Sequence, residues 1–124
     1  MTIQWSDLQR QQVKGVLDLY PLDSGECAQA ARAIAPIARG LDQGARGRLI
    51  RPDPVVAPRA RFIVPRTLSP APMWWNHVTV EVTAHNVDGL PGVDGHEVAT
   101  YLETWFEHPE ALRIEDVDLD GENL

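Results

Sequence analysis

The amino-acid sequence predicts an α+β fold, with amino-terminal helices packed on a small antiparallel sheet. Three patterns carry that expectation. A capping box at Ser6 opens an amphipathic stretch, valines alternate with polar residues from His77 to Thr83, and an apolar stripe at helical spacing runs from Val98 to Phe106. At 124 residues, with 44% hydrophobic and 23% charged side chains, the chain has the size and composition of one globular domain. Residues 1–124 are therefore read as a single domain ending in a short acidic tail from about 115.

Ser6 and Gln9 bracket a helix start, and Val13, Val16, Leu17 and Tyr20 recur on one face, so the first helix should end before Pro21. A second helix should follow at once, capped by Asp23 with Glu26 or by Ser24. It carries Ala28, Ala30, Ala31, Ala33 and Ile34, small or apolar nearly all round, and so belongs in the interior. Pro36 should kink or finish it, because proline lacks the amide donor and crowds the preceding turn, and Gly40 and Gly44 then read as loop. From Pro52 to Pro72 the prolines suggest irregular connections around a short strand at residues 61–64.

Val78, Val80 and Val82 alternate with His77, Thr79, Glu81 and Thr83, the period of a strand with one apolar face. A turn should lead into a second strand carrying Val87 and Asp88, which Gly89, Pro91 and Gly92 end. Asp94 and Glu97 then read as the capping box of a closing helix built on Val98, Tyr101, Leu102, Trp105 and Phe106. Leu112 and Ile114 can form a last strand ahead of the tail.

Charge narrows the partners. Net charge is −7, yet up to Arg66 there are ten basic and six acidic residues, and after it one basic and twelve acidic. Nucleic-acid affinity rests on cationic contacts to phosphates, so the acidic half argues against a nucleic-acid partner. No stretch approaches the roughly 20 apolar residues of a membrane helix, and no secretory signal is readable at the amino end, so neither a membrane partner nor signal-directed export is expected. Cys27 is the only cysteine, which rules out an intrachain disulfide. Asp116, Asp118, Asp120 and Gly121 imitate the opening of a calcium loop, but the twelfth position would fall past Leu124. His85, His96 and His108 lack paired ligand spacing. The expectation is neither metal nor cofactor.

Cys27 lies in the first turn of the second helix, at its third or fourth position by either cap, where free amides and the positive end of the helix dipole favour a thiolate. On its own, such a cysteine is more often a small apolar filler. A hairpin turn centred on Thr83 and Ala84 would set Asp88 opposite Thr79 and diagonal to His77, on one face. Diagonal neighbours lie roughly 7 to 8 Å apart, within reach of an imidazole donating to a carboxylate. A one-residue slip would send Asp88 to the opposite face.

These residues carry a resemblance. Asp23, Ser24, Gly25, Glu26, Cys27 and Ala28 at a helix start, His77 opening the valine strand, and Asp88 with Gly89 ending the next are together similar to papain-like cysteine hydrolases, and more narrowly to the compact papain-fold toxin domains of bacterial polymorphic toxins. The likeness spans about half of the chain. It implies Cys27 as nucleophile, His77 as base and Asp88 as the group that orients it, acting on an amide bond of a protein or peptide substrate as a peptidase or as a glutamine or asparagine deamidase. Papain's upstream glutamine has no counterpart at Pro21 or Leu22, and Ala28 stands where papain has an aromatic residue. Trp74, Trp75 and Asn76, just ahead of His77, are candidate substrate-binding residues. The resemblance also implies an effector or toxin domain, cytoplasmic in the producing cell or delivered into a target cell by a specialised secretion system, with a cognate immunity or chaperone protein. The rival readings are a non-catalytic acidic interaction, immunity or adaptor protein, and a transglutaminase-like acyl transferase.

Overall fold

A computed structural model describes residues 2–121. Helix α1 (Asp7–Leu19) and helix α2 (Cys27–Leu41) are followed by strand β1 (Arg46–Pro52), a long irregular segment, the hairpin of β2 (His77–Val82) and β3 (His85–Asp88), strand β4 (Gly92–Glu97), helix α3 (Val98–Trp105) and strand β5 (Leu112–Asp116). The five strands form one antiparallel sheet in the order β4-β3-β2-β1-β5. The coarse α+β class is as expected from the sequence.

The capping box of α1 is present in both halves: Gln9 N donates to Ser6 Oγ and Ser6 N donates to the Gln9 side chain. Helix α2 departs from the sequence reading at both ends. A short 3-10 turn (Leu22–Ser24) occupies the expected capping residues, and Gly25 at φ 73° breaks away from it, so Glu26 is the cap and Cys27 the first helical residue rather than the third or fourth. At the other end the helix runs through Pro36 to Leu41. Burial of Ala28, Ala31, Ile34, Ala35 and Ala38 against the sheet outweighs the amide that Pro36 cannot supply.

The hairpin has the expected register: Val80 pairs with Val87, Glu81 with Asn86 and Val82 with His85. Thr83 and Ala84 both take positive φ, 46° and 63°, which is what a two-residue connection compatible with strand twist requires. The period of two then sorts the faces. Val78, Val80, Val82 and Val87 pack with α1 and α2, while Ile50, Ile63, Tyr101 and Phe106 form a second, smaller cluster.

Other expectations fail for identifiable reasons. Gly40, read as loop, lies within α2, and strand β1 was not anticipated; Arg46, Arg48 and Arg51 sit in it because Glu81, Glu115 and Asp116 on neighbouring strands neutralise them. Asp94 and Glu97 belong to β4 instead of a capping box, and Asp94 pairs with Arg10 of α1 at 2.7 Å. Residues 61–64 make a single bridge, Ile63 with Trp74, rather than a strand. Strand β5 extends to Asp116, beyond the expected start of the tail, and Arg32 then holds the carbonyls of Leu119 and Gly121.

Ala84 adopts a conformation that costs a non-glycine residue about 1–2 kcal/mol, whereas glycine adds about 0.4–1 kcal/mol of unfolded-state entropy. Ala84→Gly should therefore raise stability by about 0.5–1 kcal/mol, read as a higher urea midpoint with an unchanged slope.

Candidate functional site

The amino ends of α2 and β2 meet, and β3 ends beside them. This brings together Cys27, the first residue of α2, His77, the first of β2, and Asp88, the last of β3. His77 Nε2 lies 3.3 Å from Asp88 Oδ1, and the two residues are 2% and 4% exposed. This is close enough for charge pairing, but the N–H is not aligned for a full hydrogen bond. Cys27 is half-buried, with His77 and the Val78 amide as its hydrogen-bonding neighbours.

Electrostatics give this group its character. Burial works against a charge on the Cys27 thiol, yet the imidazole of His77 and the Val78 amide overcome it and hold the thiol below its ordinary range. Burial likewise disfavours an imidazolium at His77. The adjacent Asp88 carboxylate dominates, with a contribution from Cys27, and pushes it up to about 10. Asp88 is held below the usual carboxylate range despite its own burial, by His77 first and then by Thr79 and Tyr101. At neutral pH the site therefore holds an imidazolium beside a carboxylate, with a thiol that this pair makes easier to ionise, in one partly dry corner.

Tyr101 is the residue the sequence reading did not assign to the site. Its stripe position marked it as core, and it is core, fully buried on α3; but its hydroxyl donates to Asp88 Oδ2 at 2.5 Å. Burial and the neighbouring carboxylate drive the phenol well above its ordinary value, which keeps the proton on the oxygen that donates. Asp88 Oδ1 also accepts from the Leu90 amide at 2.7 Å. The carboxylate is thus gripped on both oxygens, leaving His77 to settle against a fixed charge. A buried tyrosine on a stripe ending beside an aspartate was the available signal, but only the pairing of β3 with β4 shows that α3 returns over Asp88.

Trp74, Trp75 and Asn76 border an open cleft beside Cys27 and His77. Leu22, Gly25, Cys27, Met73, Trp74, Trp75, Asn76 and His77 line an open cleft of about 320 Å³. Trp74 stacks on the His77 ring with centroids 5.1 Å apart and planes 15° apart, fixing its orientation, and Phe106 closes on the same ring at 6.0 Å. Trp75 stands out from the surface, 66% exposed, against Phe62. The space inward of Cys27 is only about 10 Å³, scarcely a water, so the sulfur is approached from the cleft. Among the described residues no cluster of three metal-ligating side chains occurs. His96 instead bonds Thr100, His108 approaches Glu110, and the Asp118 carboxylate accepts from the Asp120 amide in a local turn.

No family model, curated protein or solved structure matches the chain.

Iodoacetamide labelling of Cys27 should rise with pH to a half-point below the ordinary thiol range. His77→Ala should move that half-point above it, because burial remains while the cation is gone. Tyr101→Phe leaves a buried carboxylate oxygen without its donor and should cost about 1.5–3 kcal/mol in urea unfolding.

Proposed function

We propose that the protein is a cysteine hydrolase of the papain-like kind, acting on an amide bond of a protein substrate through Cys27, His77 and Asp88. The observation that carries this reading is the meeting of a half-buried thiol, an imidazole and a gripped carboxylate at the mouth of an open cleft, with the thiol acidified against its own burial. A cysteine serving only as core filler would be shifted the other way, since burial alone raises a thiol.

The Cys27 thiolate attacks the carbonyl carbon, forming a C–S bond and an oxyanion. As the first residue of α2, Cys27 has an amide free of helical pairing, which is available to the developing charge with the helix dipole behind it. When the tetrahedral state collapses, the C–N bond breaks and the leaving amine takes the proton from His77. The neutral ring then removes a proton from water, the hydroxide adds to the thioester, and breaking the C–S bond restores thiolate and imidazolium while releasing the acid. Asp88 stays ionised and orients the ring. Asn76 and the tryptophans line the path of the substrate. A main-chain amide makes the enzyme a peptidase; a glutamine or asparagine side chain makes it a deamidase that releases ammonia. The same acyl-enzyme passed to an amine would be acyl transfer. An effector or toxin role, with a dedicated protective partner, follows from the resemblance in the sequence.

Expression of the wild type beside Cys27→Ala, with proteome-wide mapping of new termini, one-dalton deamidation shifts and crosslinks, tests the reaction. Cys27→Ala or His77→Ala should lower turnover by about 10⁴-fold. An unchanged proteome beside slow labelling of Cys27 would make the protein a non-catalytic binder. With a substrate in hand, kcat/KM should rise through an acid limb set by the lowered thiol and fall through an alkaline limb near 10, where His77 loses its proton.

A further inference from the structure

The cleft at Cys27 does not end at Trp75. On the other side of that ring is a second groove of about 360 Å³, lined by Arg51, Pro52, Pro54, Ala57, Pro58, Ala60, Arg61 and Trp75, so the exposed indole forms a ridge shared by both. Along this course the apolar surface is open: Met73 is 67% exposed and Phe62 leans on Trp75 at 4.8 Å. Solvent-exposed aromatic and thioether side chains beside a cleft are what an extended polypeptide packs against.

Charge distinguishes this surface from the rest of an acidic protein. Arg10, Arg46, Arg48, Arg51 and Arg113 each meet a carboxylate, while Arg32 and Arg39 bond main-chain carbonyls. Among the described residues the cations with no such partner are Lys14 on α1 and Arg59, Arg61 and Arg66. All three of these arginines are exposed on the irregular segment that builds the second groove. Of the two arginines that line the groove, Arg51 is paired with Glu115, whereas Arg61 is left open.

Resting on the hydrolase reading, we propose that the substrate is an extended protein segment with its reacting amide at Cys27, an apolar side chain against Trp75 and Met73, and an acidic side chain beyond the ridge facing Arg61. Prolines fix the backbone of the groove wall, and turn hydrogen bonds from the Ala57 amide to the Asp53 carbonyl and from the Ala60 amide to the Ala57 carbonyl brace it, which presents a firm surface to a strand laid across it. Arg61 is then a specificity-determining residue of the enzyme, and Trp75 the point where apolar and charged recognition meet.

The test uses the whole protein and peptidyl vinyl sulfones extended on both sides of the electrophile, with Glu or Lys scanned through the flanking positions. Covalent labelling of Cys27 is followed by mass spectrometry. At one or more positions on one side, Glu should label about three- to fivefold faster than Lys, the range expected for one exposed arginine–carboxylate pair, and the gap should close at high salt. Arg61→Glu should reverse the preference while iodoacetamide labelling stays at the wild-type rate. Equal rates for Glu and Lys at every position, with rapid iodoacetamide labelling, overturn the acidic-substrate inference and leave the hydrolase standing. Slow iodoacetamide labelling overturns the hydrolase and the inference with it.

Discussion

The carboxylate of Asp88 is the constraint around which the site is organised. A buried anion is tolerable only if its charge is matched and its lone pairs are filled. Three elements supply what it needs: His77 from β2, the Tyr101 hydroxyl from α3, and the Leu90 amide from the turn after β3. The consequence passes outward. Because Asp88 holds His77 as a cation, the imidazolium lowers the Cys27 thiol, although burial of the sulfur alone would raise it. The reactive state is thus supported from the side of the sheet remote from α2, by a helix that does not contribute to the cleft.

How much of this the sequence disclosed depended on whether the deciding interaction was local. The β2–β3 hairpin was legible in detail, since alternating valines fix the faces and a short turn fixes the pairing; the shared face of His77 and Asp88 follows from it, and Cys27 was singled out by its helix start. The exact place of Cys27 was not, because Asp23 and Ser24 have capping chemistry that the chain spends on a 3-10 turn instead. Strand β1 was hidden by its arginines, whose partners come from β2 and β5. Strand β4 was hidden by Asp94 and Glu97, spaced like a capping box, one of which answers to Arg10 far along the chain. Tyr101 shows the same limit within the site: periodicity could place it in the core but could not name the oxygen it would bond.

The segment between β1 and β2 has little regular structure, yet it is anchored at chosen points. Ile63 bridges Trp74, and Pro65 bridges Phe106 at the end of α3. These ties position Trp74 over the His77 ring and leave Trp75, Met73 and Arg61 facing outward. A surface loop of this length in a small domain is more often functional than incidental, and here it supplies both the ring stacked on the imidazole and, among the described residues, the arginines left without a carboxylate or carbonyl partner.

The alanine-rich inner face of α2 also sets how closely that helix can lie over the sheet. Ala28, Ala31, Ala35 and Ala38 project a single carbon each toward the valines, with Ile34 the larger side chain between them, so the helix packs closely on the sheet. A larger residue at any of them would act as a shim, lifting one end of α2 like a hinged plank. Cys27 rides on that end, and a fraction of an ångström there changes a sulfur-to-imidazole contact far more than it changes the total of buried surface. The interior of this protein therefore works as a spacer gauge for the position of Cys27, and tolerance of the fold to substitution in α2 should exceed tolerance of the Cys27–His77 geometry.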